Sequence, residues 1–170
     1  KRCSVLIIGV GNSERRDDGA GPAVIDALEG RVGDGVRLVR HSGEAASLME
    51  LWESEATIVV DATSSGSESG TVRCFDALAE KLPEELMACS THSFGVSQAV
   101  ELSRALGTLP KRLTVYGVEG EDFSHGFELT DGAKEGVASV VEQILEVLRQ
   151  DAGDDDSSPA PDHEREEEDA

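Results

Sequence analysis

Three stretches of this chain are apolar with little or no polar interruption: Val5-Leu6-Ile7-Ile8, Ile58-Val59-Val60 and, less purely, Leu113-Thr114-Val115-Tyr116-Gly117-Val118. A strand with one wet face alternates apolar and polar residues, whereas a strand covered on both faces does not. Such runs need helices over both sides of a sheet, and the chain supplies helical patterns between them. Val24, Ala27 and Leu28 recur at helical spacing after Pro22, which suits a first helical residue, and Gly30 stops that helix. Leu48, Leu51 and Trp52 mark a second helical face, and Val96, Ala99, Val100, Ser103 and Leu106 a third. Val137, Val141, Ile144 and Leu148 recur at steps of four, three and four in the last. Val36 to Val39 and Thr71 to Phe75 read as two more strands, the latter mixed enough for an edge. The alternation predicts a single-domain α/β three-layer sandwich, a mostly parallel sheet with helices on both faces. Right-handed crossovers then bring the loops after the first and third strands to one edge, where open α/β sheets hold ligands.

A chain of 170 residues fits one domain with a sizeable core. That domain is expected over residues 1–150. Beyond it, Pro and acidic residues erase the pattern, and 151–170 reads as a disordered acidic tail. The tail holds ten acids against Arg165 alone, so it carries −9 of the net charge of −20 and leaves −11 on the body. Nucleic acid and anionic membrane surfaces are poor partners for such a body, since both select positive faces. No early apolar run is long enough to span a bilayer or to serve as a secretory signal. The cysteines, Cys3, Cys74 and Cys89, are odd in number and form no close-spaced pair, which favours a reducing, cytoplasmic setting. Cys3 and Cys74 lie in strand-like runs and read as small core residues.

Candidate chemistry collects on three loops. The first is Gly9-Val10-Gly11-Asn12 followed by Asp17-Asp18-Gly19-Ala20-Gly21; the second is Asp61-Ala62; the third is Ser90-Thr91-His92-Ser93. Asp61 ends an apolar strand, and burying its carboxylate without partners would cost several kcal/mol. A metal or hydrogen-bond donors should therefore meet it. Each residue also has an ordinary reading: Asp17-Asp18-Gly19 as a turn, Asp61 as an acceptor of loop amides, His92 as a packed or surface ring. His41 and His125 occupy loops and are weaker ligand candidates, Cys89 near His92 is a weak nucleophile signal, and His163 lies in the acidic tail. Taken together, Asp18, Asp61 and His92 make a reasonable oxygen/nitrogen set for a divalent ion, with room for water or substrate.

The ordered set of motifs resembles the hydrogenase maturation proteases, the endopeptidases that process the large subunit of nickel–iron hydrogenases. It comprises Gly9-Val10-Gly11-Asn12, Asp17-Asp18-Gly19-Ala20-Gly21, Ile58-Val59-Val60-Asp61-Ala62, Ser90-Thr91-His92, Leu109-Pro110, Tyr116-Gly117-Val118-Glu119 and the stretch Gly126 to Thr130. The resemblance spans about residues 3–150. It implies a single twisted five-stranded sheet between helices, and removal of a short C-terminal peptide from the large-subunit precursor after nickel insertion. Asp18, Asp61 and His92 match the family's metal-contacting positions, with the nickel supplied by the precursor. For this aspartyl-type protease the resemblance leaves two routes for the attacking water, the metal as Lewis acid or Asp18 as the catalytic base, and Gly11, Asn12, Asp17 and Gly19 shape the first loop. Two departures stand out. Ser13-Glu14-Arg15-Arg16 replaces the apolar residues of many relatives, and Arg40-His41-Ser42-Gly43-Glu44-Ala45 replaces an Asp-Gly-Gly-Thr-like stretch. At the second, Gly43 would keep the turn flexible and Glu44 would supply an acidic contact. A monomer that binds the precursor, but neither membrane nor nucleic acid, is the expected assembly.

Two rivals accompany this reading. A dinucleotide-binding α/β protein would use the Gly-rich first loop, but its fingerprint needs glycine at 9, 11 and 14, and position 14 is Glu14. A noncatalytic nickel-site or precursor-binding maturation factor needs the same three residues and differs by binding without trimming.

Overall fold

The computed structural model describes residues 4–52, 56–83 and 95–155. Five strands, β1 (Val5–Val10), β2 (Val36–His41), β3 (Ala56–Thr63), β4 (Val72–Asp76) and β5 (Arg112–Glu119), form one sheet in the order β2-β1-β3-β5-β4. Only β4 runs antiparallel, against β5. The helices are α1 (Ala20–Leu28), α2 (Ala45–Leu51), α3 (Gly95–Leu106) and α4 (Asp131–Asp155), with a short 3-10 turn, Arg16–Gly19, ahead of α1.

The layers follow from strands whose two faces are both apolar. Val5, Ile7, Ile58, Val60 and Val118 face α1 and α4, where Val24, Ile25, Leu28, Val140, Val141 and Ile144 close the core. Leu6, Ile8, Val59, Leu113 and Val115 face α2 and α3, meeting Leu48, Val96, Ala99 and Val100. The expected three-layer, mostly parallel sandwich is therefore the observed one, with β4 at the edge. Among the described residues no helix is long and apolar enough to cross a membrane.

Several boundaries and placements differ from expectation. Pro22 is the third residue of α1, because the 3-10 turn leads into the helix two residues earlier. Leu106 is 67 % exposed rather than core, lying at the last turn of α3 beyond the sheet's cover. Cys74 is exposed on the edge strand instead of packed inside, since β4 has a neighbour on one flank alone. The tail boundary at 150 also shifts. α4 continues to Asp155, and Asp151 accepts two hydrogen bonds from the Arg112 guanidinium at 3.2 and 3.0 Å. That pairing fastens the last turns of the helix to the start of β5. The remainder of the expected tail, Cys3 and Cys89 lie outside the described residues.

The topology reverses between β1 and β3. From β1 the chain crosses by α1 to β2, and from β2 it returns by α2 to β3 on the other side of β1. Loops leaving β1 and β3 diverge there and open a crevice at the carboxyl edge. Gly9 and Gly21 let the start of α1 sit directly on that edge. A Cβ on Gly21 would collide with the Val10 carbonyl and lie 2.6 Å from the Val60 carbonyl oxygen, and one on Gly9 would strike the Gly21 backbone.

Candidate active site

Asp61 lies within β3, opposite Gly117 of β5 and one residue past the last β1–β3 pair, Gly9↔Val60, so β3 runs two residues beyond it to Thr63 instead of ending there as expected. Asp18 comes from the 3-10 turn after β1 and is 5 % exposed. These two carboxylates share one neighbourhood. Burial pushes the Asp61 carboxyl well above the usual aspartate range, the negative charge of Asp18 pushes it further, and the Ala62 N–H, donating to Asp61 Oδ1 at 2.8 Å, works the other way. Asp61 as a whole residue is half-buried, so its carboxyl is closed in while part of the residue still reaches the crevice. A pair of acids crowded in this way raises the cost of ionising both, and a cation between them removes it.

The first loop is shaped around Asp18. Gly11 has φ +144, and a Cβ there would strike the Asp18 carbonyl. The Asn12 N–H donates to Asp18 Oδ2 at 3.0 Å, while Asn12 Oδ1 accepts from the Glu14 N–H at 2.9 Å. The loop amides are thus engaged by the chain's own side chains, where a dinucleotide fingerprint would present them to a pyrophosphate.

Asp17, the residue before, does the opposite job. It is fully buried and its carboxylate accepts from the N–H groups of Glu121 (2.9 Å), Asp122 (3.1 Å) and Thr130 (2.8 Å) and from Thr130 Oγ1 (2.8 Å). Its own N–H donates to the Asp122 carbonyl at 3.0 Å. Asp17 therefore clamps the 120–130 loop onto the 3-10 turn. Glu119, at the end of β5, plays the same part for the loop after β3. It is 2 % exposed and accepts from Thr63 Oγ1 (2.7 Å), the Ser65 N–H (2.7 Å) and Oγ (3.0 Å), and the Gly66 N–H (3.0 Å). Sequence reasoning gave neither Glu119 nor Thr130 a role. The sign for Glu119 was available, since it is an acid ending an apolar strand.

Of the expected metal residues, the structure brings Asp18 and Asp61 together, while His92 lies outside the described residues. Among the described residues no group of three or more His, Cys, Asp or Glu side chains assembles as a metal nest. Gly95, three residues beyond His92, opens α3 against the Gly43 carbonyl, at the carboxyl end of β2. His41 is committed elsewhere. Its Nδ1 accepts from the Gly43 N–H at 2.8 Å, which leaves the proton on Nε2, 2.8 Å from Ser47 Oγ. Burial lowers its affinity for a second proton, against a smaller opposing pull from Glu44. Among the described residues, Glu44 is exposed and accepts from Ser42 Oγ at 2.9 Å and Ser47 Oγ at 3.4 Å. His125 is exposed on the 120–130 loop. A cavity of about 660 Å³ opens between Val5, Val32, Val36, Leu145 and Leu148 at the opposite end of the sheet and shares none of these groups.

Fold and geometry together define an open-sheet α/β protein with two neighbouring carboxylates, Asp18 and Asp61, at its switch point. Comparison with known proteins gives that class a family. A family model described as hydrogenase maturation protease matches residues 40–147. Among curated relatives, the hydrogenase 2 maturation protease of Escherichia coli K12 is 27% identical over 151 residues, covering 86% of this chain and 91% of that protein. The hydrogenase expression/formation protein HupD of Thiocapsa roseopersicina is 29% identical over 154 residues, covering 86% and 68%. Among solved structures, the hydrogenase maturating endopeptidase HybD of E. coli superposes with a TM-score of 0.73 at 25% identity, covering 86% of this chain and 93% of that one. The NiFe hydrogenase maturation protease HybD of Thermococcus kodakarensis gives 0.69 at 27%, covering 85% and 99%. The chain belongs to the hydrogenase maturation protease family and is a hydrolase of the endopeptidase class.

Proposed function

We propose that this chain removes the C-terminal extension of a nickel-loaded nickel–iron hydrogenase large-subunit precursor, with Asp18, Asp61 and His92 contacting the precursor's nickel. The observation that carries the proposal is the Asp18–Asp61 pair at the β1–β3 switch point, where burial and the charge of Asp18 disfavour ionisation of Asp61. Two carboxylates with an imidazole are an apt donor set for a borderline divalent ion.

The nickel belongs to the substrate, and its arrival would let both acids ionise, so that docking depends on completed metal insertion. Asp18 then takes a proton from the water that attacks the scissile carbonyl and returns one to the departing amine. Asn12 holds Asp18 in place through the N–H bond to Oδ2. Asp17 and Glu119 keep the two loops from drifting apart. The acidic chain, at −20 overall, suits a protein partner over nucleic acid or an anionic membrane. The exposed Cys74 thiol suits a reducing compartment, so we place the activity in the cytoplasm, with the chain acting as a monomer.

The test is the precursor's mass after incubation with the chain, with and without nickel. Loss of the C-terminal peptide from the loaded precursor alone is the expected result. Binding of the loaded precursor without any mass change would instead make the chain a noncatalytic maturation factor.

A further inference from the structure

The 120–130 loop is a braced strap that turns one aromatic side chain away from the protein. Phe123 and Leu129 pack against the α1/α4 core. Phe127, between them, is 80 % exposed. Its backbone has little freedom to fold the ring inward. On one side the Gly126 N–H donates to the Glu14 carbonyl and the Gly126 carbonyl accepts from the Arg16 N–H, both at 2.9 Å, forming a parallel bridge between Arg15 and Gly126. On the other side Thr130 is bound twice by Asp17. The Arg15 Nε–H reaches the Phe123 carbonyl at 3.3 Å, and Arg16 sits over Gly126 with its own φ at +42. A non-glycine residue in the left-handed region costs stability and persists where surrounding contacts over-determine it.

An exposed apolar side chain is unremarkable on a loop free to rearrange. Here the strap is tied to the residue next to Asp18 and to a strained Arg16, and still presents a bare ring. Holding an aromatic in its bound position beforehand is what lowers the ordering cost of an interface. The surroundings define the partner's surface. Glu14 and Glu128, adjacent to the bridge and to the ring, are both exposed, while Arg16 is drawn back towards Asp122 at 3.6 Å. A protein surface with an apolar socket rimmed by Lys and Arg fits this tip.

We infer that Phe127 is a docking anchor for the precursor protein, seated in an apolar, basic-rimmed socket of that partner while its C-terminal segment enters the Asp18–Asp61 crevice. The inference rests on the proposed function for the identity of the partner, and its two tests separate the outcomes. The first is steady-state trimming of nickel-loaded precursor by the full chain and by Phe127→Ala. KM is expected to rise about tenfold or more, with kcat retained within about twofold, the same thermal midpoint, and partial rescue by Phe127→Leu. Glu14→Lys with Glu128→Lys should raise KM further at low salt than at high salt. An unchanged KM for Phe127→Ala, in a chain that trims, overturns the anchor and leaves the protease reading standing. The second is binding of the loaded precursor to Asp18→Asn and to Asp18→Asn/Phe127→Ala. Should the wild-type chain fail to trim, the proposed function falls, and this measurement still decides the anchor. Retention by the first and release by the second supports it; equal retention by both removes it.

Discussion

Asp17 and Asp18 are adjacent in sequence and both buried, yet they sit in opposite electrostatic worlds. Asp17 collects four donors and works as a clamp. Asp18 lies against a second carboxylate, and its charge makes Asp61 harder to ionise. Glu119 repeats the first pattern at the end of β5. The lesson is that a buried acid is informative through its balance of donors. Acids that collect donors hold loops, while an acid whose charge works against another acid's ionisation marks a place where a cation would be favoured.

That contrast is broken most severely by removing charge at the crevice. Asp18→Asn or Asp61→Asn should lower the rate of precursor trimming by about a hundredfold to ten-thousandfold, while circular dichroism and the urea midpoint stay at or above those of the wild type. Trimming near the parental rate by both variants would leave the pair without a catalytic purpose.

Asp17→Ala should do the reverse. It leaves three backbone N–H groups and the Thr130 hydroxyl without their acceptor, so about 3 kcal/mol of stability should go, read as a lower urea midpoint. Any loss of activity should track unfolding or loosening of the strap. Glu119→Gln is milder, because one amide oxygen still accepts while the amide NH2 faces donors. About 1–2 kcal/mol is expected, with hydrogen exchange accelerating in the Ser65–Gly66 loop.

The pH dependence sharpens the same comparison. The folded state raises the Asp61 pKa, so it binds the proton more tightly than the unfolded chain does. This group therefore favours folding below the raised value and weighs against it as pH climbs from about the ordinary 3.8 through that value. Asp61→Asn should remove that slope, making the variant more stable than the parent above the window and closing the gap below it. Chemical denaturation at a series of pH values reads the difference directly.

Much of the fold was legible because its strands are buried on both faces. Uninterrupted runs such as Ile58-Val59-Val60 have no other comfortable home in a chain of this size. What local pattern could not carry was decided by distant partners. Nothing in Asp17-Asp18 says which acid is the clamp, because the deciding donors at Thr130 come 113 residues later. Leu106 fits the helical period of α3, but the sheet does not reach that far. Cys74 fits a strand, but only the sheet order shows that its strand is at the edge. Asp151 and its neighbours look like tail by composition, and remain helical once Arg112 is in reach. Asp61 was readable as a carboxylate following an apolar run, although β3 continues to Thr63, and the structure adds the second acid beside it.

The most direct measurement is a carboxyl-carbon NMR titration of Asp61 in the wild-type chain and in Asp18→Asn. If the two acids form one charged pair, Asp61 titrates well above the usual aspartate range and moves down when Asp18 is neutralised. An ordinary Asp61 pKa that ignores the substitution would contradict the pair, and with it the site built upon it.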